Sequence, residues 1–352
     1  MAKAKPIANT DCPDDAAKVI QQVLKARLKK MCSLREHALD GDGPEGVHDM
    51  RVASRRLRSA LSDFEPYLRK GSIPLTRLKE IARSLGAVRD EDVVLAALED
   101  LSSKADKNIR AGIETIAEEH RRQRRQARIL LEHAIWPAAI AEFRDDFRAS
   151  LRKAIRIPDD EAASKRSANQ VLTFSQVGKR VIGDRLQQLS EAGDSVYRPL
   201  QTKKLHELRI LAKRLRYAVE LFAACWGDEF KKFAAEIARL QTSLGELHDC
   251  DVWIVNLGAR LKHDGNSQSV GGRERWRNNE AVVWLLHHFV GERTKHYCYA
   301  LARWHKWETE GFLDRLRAVL NADLPTKPRL PQSQKGSTKK SSTRARPKPS
   351  SR

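Results

Sequence analysis

Apolar residues recur along the chain at three- and four-residue spacing almost everywhere between breakers, and windows of alternating polarity rich in Val, Ile and Thr do not occur. Over 14–39, Val19, Val23, Leu24, Leu28, Met31 and Leu34 fall on one stripe, predicting an amphipathic helix of about seven turns. The GDGP stretch at 41–44 ends it, and a second helix is expected over 44–68 with Pro44 in its first turn, where a missing N–H costs nothing. Gly71 and Pro74 mark a turn. Further helices follow over 75–101, 106–133 and from Pro137 to near Pro158. The polar run PDDEAASKRSA (158–168) reads as a linker, after which helices resume over 169–192, 199–226, 228–262 and 278–320, the last with a break. The fold class is all-α.

A repeat within the chain sets the architecture. GVHDMRVASRRLRSALSDFEPYL (46–68) has a counterpart in KLHELRILAKRLRYAVELFAACW (204–226), and LGAVRDEDV (85–93) has one in LGELHDCDV (244–252). His48 aligns with His206, Arg51 with Arg209, Arg55 with Lys213, Arg56 with Arg214 and Arg58 with Arg216. Two blocks repeating in the same order imply two copies of one helical unit. The expected arrangement is two four-helix-bundle subdomains, 14–157 and 169–324, related by a pseudo-twofold axis.

At about 100° per residue, His48, Arg51, Arg55 and Arg58 occupy an arc of about 80°, opposite a core face of Met50, Ala53, Leu57, Ala60, Leu61 and Phe64. His206, Arg209, Lys213 and Arg216 repeat the pattern. A cationic row about 15 Å long suits a linear run of phosphates, with arginine offering bidentate contacts. A self-repelling stripe also costs stability, which argues for an absent anionic partner. On the second block, Asp92 and Asp251 fall inside apolar arcs and need cationic partners; Arg56 and Arg214 are the expected ones. Gly86 and Gly245 sit in mid-helix, implying close approach or a kink. Arg89 and His248 could face the same channel. Arg303, with Arg293 and Lys295, is a further candidate, as are Arg121, Arg122, Arg124, Arg125 and Arg128, most of them solvated.

The charge balance changes the picture of the partner. The 352 residues carry 66 Lys+Arg against 46 Asp+Glu, a net charge of +20, which points to a polyanion. Residues 325–352 hold nine Lys/Arg and no acid, cannot build a core, and are expected to be a disordered basic tail. Without them 57 basic and 46 acidic residues remain, net +11, so the body is basic in its own right. Residues 1–13 are likewise expected to be disordered. No run of 18 apolar residues occurs, so no membrane span is expected. The N-terminus shows no secretory h-region. Five scattered cysteines (Cys12, Cys32, Cys225, Cys250, Cys298) without a CxxC pair argue against a disulfide framework or a zinc knuckle, and for a reducing, cytoplasmic setting.

VHDMRVASRRLRSAL with LGAVRDEDV, and LHELRILAKRLRY with LGELHDCDV, resemble the conserved histidine α-helical domain (CHAD) family over roughly residues 15–320. The resemblance implies two four-helix subdomains about a pseudo-twofold axis and a central basic channel that binds inorganic polyphosphate, with members that concentrate at polyphosphate granules. Carried over, His48, Arg51, Arg55, Arg58, His206, Arg209, Lys213 and Arg216 are the implied ligand-binding residues. Many members are fused to a triphosphatase domain of the CYTH type, but no ExExK signature occurs here. The reading is a binding protein with no catalytic residues, metal or cofactor.

Two other classes compete. A nucleic-acid binder would use the basic helices, the tail and Trp276, Trp284, Trp304 and Trp307 as stacking surfaces, although the last three have spacing suited to packing and no helix-turn-helix, zinc-finger or RRM signature occurs. A metal-dependent phosphohydrolase would build on His48-Asp49 and His248-Asp249, but helix neighbours point about 100° apart and Asp49 becomes Glu207 in the second copy. His287-His288 has no partner pattern, and a GxxxxGK[ST] loop is absent.

Overall fold

The computed structural model describes residues 12–40, 43–156, 171–266 and 272–322. The linker expected at 158–168 and the basic tail at 325–352 lie outside them. Among the described residues there are α-helices, two 3-10 turns and no strand, only isolated bridges joining Asp15 to Thr173 and Leu68 to Ile155. No described helix is long and apolar enough to cross a membrane.

The helices are α1 (Ala16–Ser33), α2 (Arg35–Leu39), α3 (Pro44–Asp63), α4 (Leu75–Lys104), α5 (Lys107–Ala134), α6 (Pro137–Ala154), α7 (Phe174–Glu191), α8 (Thr202–Trp226), α9 (Asp228–Asn266), α10 (Gly272–Thr309) and α11 (Phe312–Asn321). Local chemistry places their ends. Asp15 and Asp106 accept bonds from the first-turn amides of α1 and α5, Thr173 and Gln176 form a capping box on α7, and Pro44 and Pro137 open α3 and α6. The single helix expected over 14–39 is interrupted at Leu34, whose ψ of 2° breaks the ladder. The break expected in the final helix falls at Gly311, where φ is +60°, a conformation that favours glycine.

Helix α8 is central, packed by α3, α7 and α9. Phe64 at the end of α3 meets Phe174 of α7 and Phe222 of α8 at centroid distances of 6.4 and 6.1 Å, one aromatic knot in the core beneath the repeated helices. The hairpins α4–α5 and α9–α10 join through α5 and α10, where Ile109, Ile113, Ile116, Ala281, Leu285 and Phe289 are buried together. The equivalent helices α3 and α8 pack against one another, so their charged edges meet.

The cysteines correct one expectation. Cys12 and Cys225 are joined as a disulfide, Cα atoms 5.3 Å apart, while Cys32, Cys250 and Cys298 are free. The two are 213 residues apart in the chain, but Ser175 N–H donates to the Cys12 carbonyl and draws the N-terminal segment along α7 to the end of α8. The pair removes the argument from cysteine usage for a reducing setting.

Candidate functional site

The site is the seam where α3 and α8 cross, flanked by α4 and α9. Helical spacing turns Arg51 and Arg55 from α3 and Arg209 and Lys213 from α8 toward one region, and their electrostatics show the convergence. Burial, then Arg209, Arg55 and Arg51, push the Lys213 ammonium down from 10.5 to about 8. Burial likewise lowers Arg55, with Arg51, Arg216 and Arg56 adding to the effect. Both halves therefore feed one cationic cluster. Among the described residues no carboxylate lies within 4.0 Å of Arg55, Arg209 or Lys213. The Nε of Arg55 is buried without a hydrogen-bond partner. Such a cluster is an unfavourable arrangement unless an anion joins it.

The glycines of the second block explain how the arginines lie. A Cβ on Gly86 would sit 3.9 Å from Arg51 Nε, and one on Gly245 would sit 3.7 Å from Arg209 Nε. Each arginine thus lies across a bare stretch of the neighbouring helix, the same way in both copies. Arg51 also reaches Asp90 at 3.4 Å, but Asp90 is 70% exposed, so this pair is weak and open to exchange for a stronger anion. Asp249, the counterpart of Asp90, lies within electrostatic reach of Asp90, Arg51 and Arg209.

The histidines differ between the copies. His48 is lowered by burial and by Arg89. In the second copy His248 occupies the position of Arg89, and its Nδ1 lies 3.1 Å from Nδ1 of His206. Burial, then His206 and Arg209, push His248 down to about 4. The pair borders a cleft of about 480 Å³ whose walls include Thr202 and Lys203 of α8 and Val255 and Asn256 of α9.

Several predicted residues stand elsewhere. Arg216 is buried, 5% exposed, with Nε 3.1 Å from Glu220, so it is not an accessible member of the row. Its counterpart Arg58 is exposed, as is Arg214. Arg303 donates to Glu236 at 2.6 Å, alongside Arg239 and Trp307, away from the seam. Asp92 does pair with an arginine, but it is Arg124 of α5 at 2.7 Å and not Arg56; Asp251 takes Arg293 of α10 at 2.6 Å and not Arg214. The Arg56 carbonyl accepts from Arg27 of α1 at 3.0 Å. Arg121 is tied to Glu114 and Glu118, and Arg128 donates to the last carbonyls of α2. Trp304 and Trp307 are core residues, 3% and 2% exposed, and Trp284 stacks on His288, so none of the three is a free stacking surface.

Tyr217 was missed by reading charge alone. Its ring lies 5.8 Å from the Arg55 guanidinium and 5.0 Å from that of Arg216, linking the two repeats by cation–π contact. Its place directly after the repeated RLR (56–58 and 214–216), where the first copy has Ser59, was the available signal.

The chain is thus an all-α protein whose repeated helices bring cations from both halves together at one seam. The chain belongs to the CHAD domain family, whose model matches residues 22–258. It is 24% identical over 241 residues to an uncharacterized protein of Mycobacterium tuberculosis, MT2285 in strain CDC 1551 / Oshkosh and Rv2226 in strain ATCC 25618 / H37Rv. The match covers 67% of this chain and 44% of each relative, so the chain spans less than half of those proteins. Among solved structures it is similar to the CHAD domain from the plant Ricinus communis, with a TM-score of 0.62 at 18% identity, covering 92% of this chain and 98% of that one. It is also similar to PptA from Streptomyces chartreusis, with a TM-score of 0.58 at 14% identity, covering 83% and 100%. At those identities the likeness is one of fold.

Proposed function

We propose that the α3–α8 seam binds inorganic polyphosphate, without catalysis, and that this binding can hold the protein at polyphosphate granules. Residues 14–157 and 169–324 are read as equivalent helical units meeting there. The observation that carries the reading is the convergence of Arg51, Arg55, Arg209 and Lys213, four cations of which three have no carboxylate within 4.0 Å among the described residues. Membership of the CHAD family supports it. His48, Arg89 and His206 extend the row toward the helix starts, and Arg58 extends it at the exposed end. Each charge-assisted contact contributes roughly 1.5–3 kcal/mol where the site is partly desolvated.

Titration calorimetry with long-chain polyphosphate tests this. Arg51→Glu/Arg209→Glu should weaken binding on the order of a hundredfold, with circular dichroism unchanged. Deleting 325–352 should remove retention of DNA and leave polyphosphate binding largely intact, because a tail responds to charge density and the seam to chain geometry. Loss of polyphosphate binding on tail deletion alone, with the double reversal silent, would refute the reading.

A further inference from the structure

His206 and His248 stand with Nδ1 atoms 3.1 Å apart and ring centroids 4.1 Å apart. Neutral imidazoles bond this way only as unlike tautomers, one presenting Nδ1–H and the other a lone pair. The donor ring then keeps a lone pair at Nε2, where a proton can enter without disturbing the Nδ1 contact. A second proton would set N–H against N–H. The pair thus titrates as a unit with room for one proton.

The groups facing the pair decide its state. From α8 come Arg209, Lys213 and, in the cleft wall, Lys203, opposed by Glu207. From α9 comes Asp251, whose carboxylate is already bonded to Arg293 of α10. From α3, Arg51 and Arg55 act on Lys213. The field is cationic and burial adds to it, so both rings are depressed, His248 to about 4, and the empty site is neutral at pH 7. A polyanion lying along Arg209 and Lys213 reverses that field.

Resting on the polyphosphate reading above, we propose that the His206–His248 pair takes up one proton from solvent as the polyanion binds, making H⁺ a co-ligand of the second half of the seam. The proton enters at the free Nε2, no bond breaks, and the α8 end gains one positive charge and one N–H donor. The first half lacks the device, because His48 meets Arg89 where His206 meets His248. More protons are bound in the complex than in the free protein, so affinity rises as pH falls, by at most about tenfold per pH unit. The window opens above the free pair's titration and closes below the region near 8 where Lys213 titrates.

The test is calorimetry of the full chain with long-chain polyphosphate at about pH 6, in buffers of different ionisation enthalpy, which reads protons taken up per site. Wild type should take up close to one proton per site, and His48→Gln, which leaves the His206–His248 pair intact, should retain most of that uptake. His248→Arg, which installs the residue of the first half, should lose at least half of it and flatten the pH dependence of affinity. Binding without proton uptake, or uptake that survives in His248→Arg and vanishes in His48→Gln, would overturn this inference and leave polyphosphate binding standing. Absence of binding by wild type would overturn both. Should His248→Arg not fold, histidine Cε1 NMR of wild type decides. The midpoint of the pair should rise by a full pH unit or more with polyphosphate, and an unmoved midpoint refutes the proposal.

Discussion

Replacing Lys213 by methionine keeps much of the side-chain volume and removes the ammonium, and the seam makes the consequences for stability and binding opposite in sign. In the free protein burial and the Arg209, Arg55 and Arg51 charges hold Lys213 at about 8, against 10.5 for an ordinary lysine. At about 1.36 kcal/mol per pH unit that fall corresponds to about 3 kcal/mol lost from folding stability at pH 7. Lys213 is only half-buried, and solvent screening reduces the expectation to about 1–2 kcal/mol. Below pH 8 the amine is charged in folded and unfolded chains alike, and the penalty is complete. Between 8 and 10.5 the unfolded chain holds a proton that the folded one has released, so wild-type stability climbs with pH; above 10.5 the penalty is gone. Lys213→Met should therefore raise the urea midpoint at pH 7 with an unchanged slope, lose most of that advantage near pH 10.5, and weaken polyphosphate binding about tenfold. A variant no more stable than wild type at pH 7, or a difference that does not move with pH, would refute the argument that the seam is electrostatically strained when empty.

Two further outcomes concern the scaffold. Arg293→Ala strips Asp251 of its 2.6 Å partner and the Pro199 carbonyl of a 2.8 Å donor; a loss of about 2–4 kcal/mol is expected in urea unfolding, with part of it recovered in Asp251→Asn/Arg293→Ala. Gly46→Ala would set a Cβ 1.8 Å from the His37 carbonyl oxygen, where α2 and α3 touch backbone to backbone; it should cost about 2–4 kcal/mol by the same measurement, because a backbone cannot step aside as a side chain does.

Helical periodicity carried most of the fold, since amphipathic spacing, Pro44, Pro137 and the capping residues act within a few positions of where they stand. What lay out of reach was set by contacts distant in sequence. Asp92 and Asp251 were recognisable as acids on apolar faces, but their partners Arg124 and Arg293 sit 32 and 42 residues further on, across the next helix of each hairpin. Arg58 and Arg216 share one wheel angle yet differ in burial, because the wheel gives a direction and not what covers it: the end of α8 lies among α3, α7 and α9, whereas α3 leaves Arg58 in water. The Cys12–Cys225 bond was invisible for the same reason, its ends lying 213 residues apart in the chain. The basic edges of α3 and α8 could be located in the sequence because the repeat wrote them twice, but that the two helices pack against one another is seen only in the fold.

Tyr217 holds a guanidinium from each repeat against one aromatic ring, Arg55 from the first and Arg216 from the second. The face of one ring is thus a shared partner for two cations, so the halves are braced together at the junction by an aromatic contact in addition to the Arg216–Glu220 pair. A change to either arginine is therefore communicated to the opposite repeat through a neutral intermediary, and the two copies, however alike in sequence, are not mechanically independent.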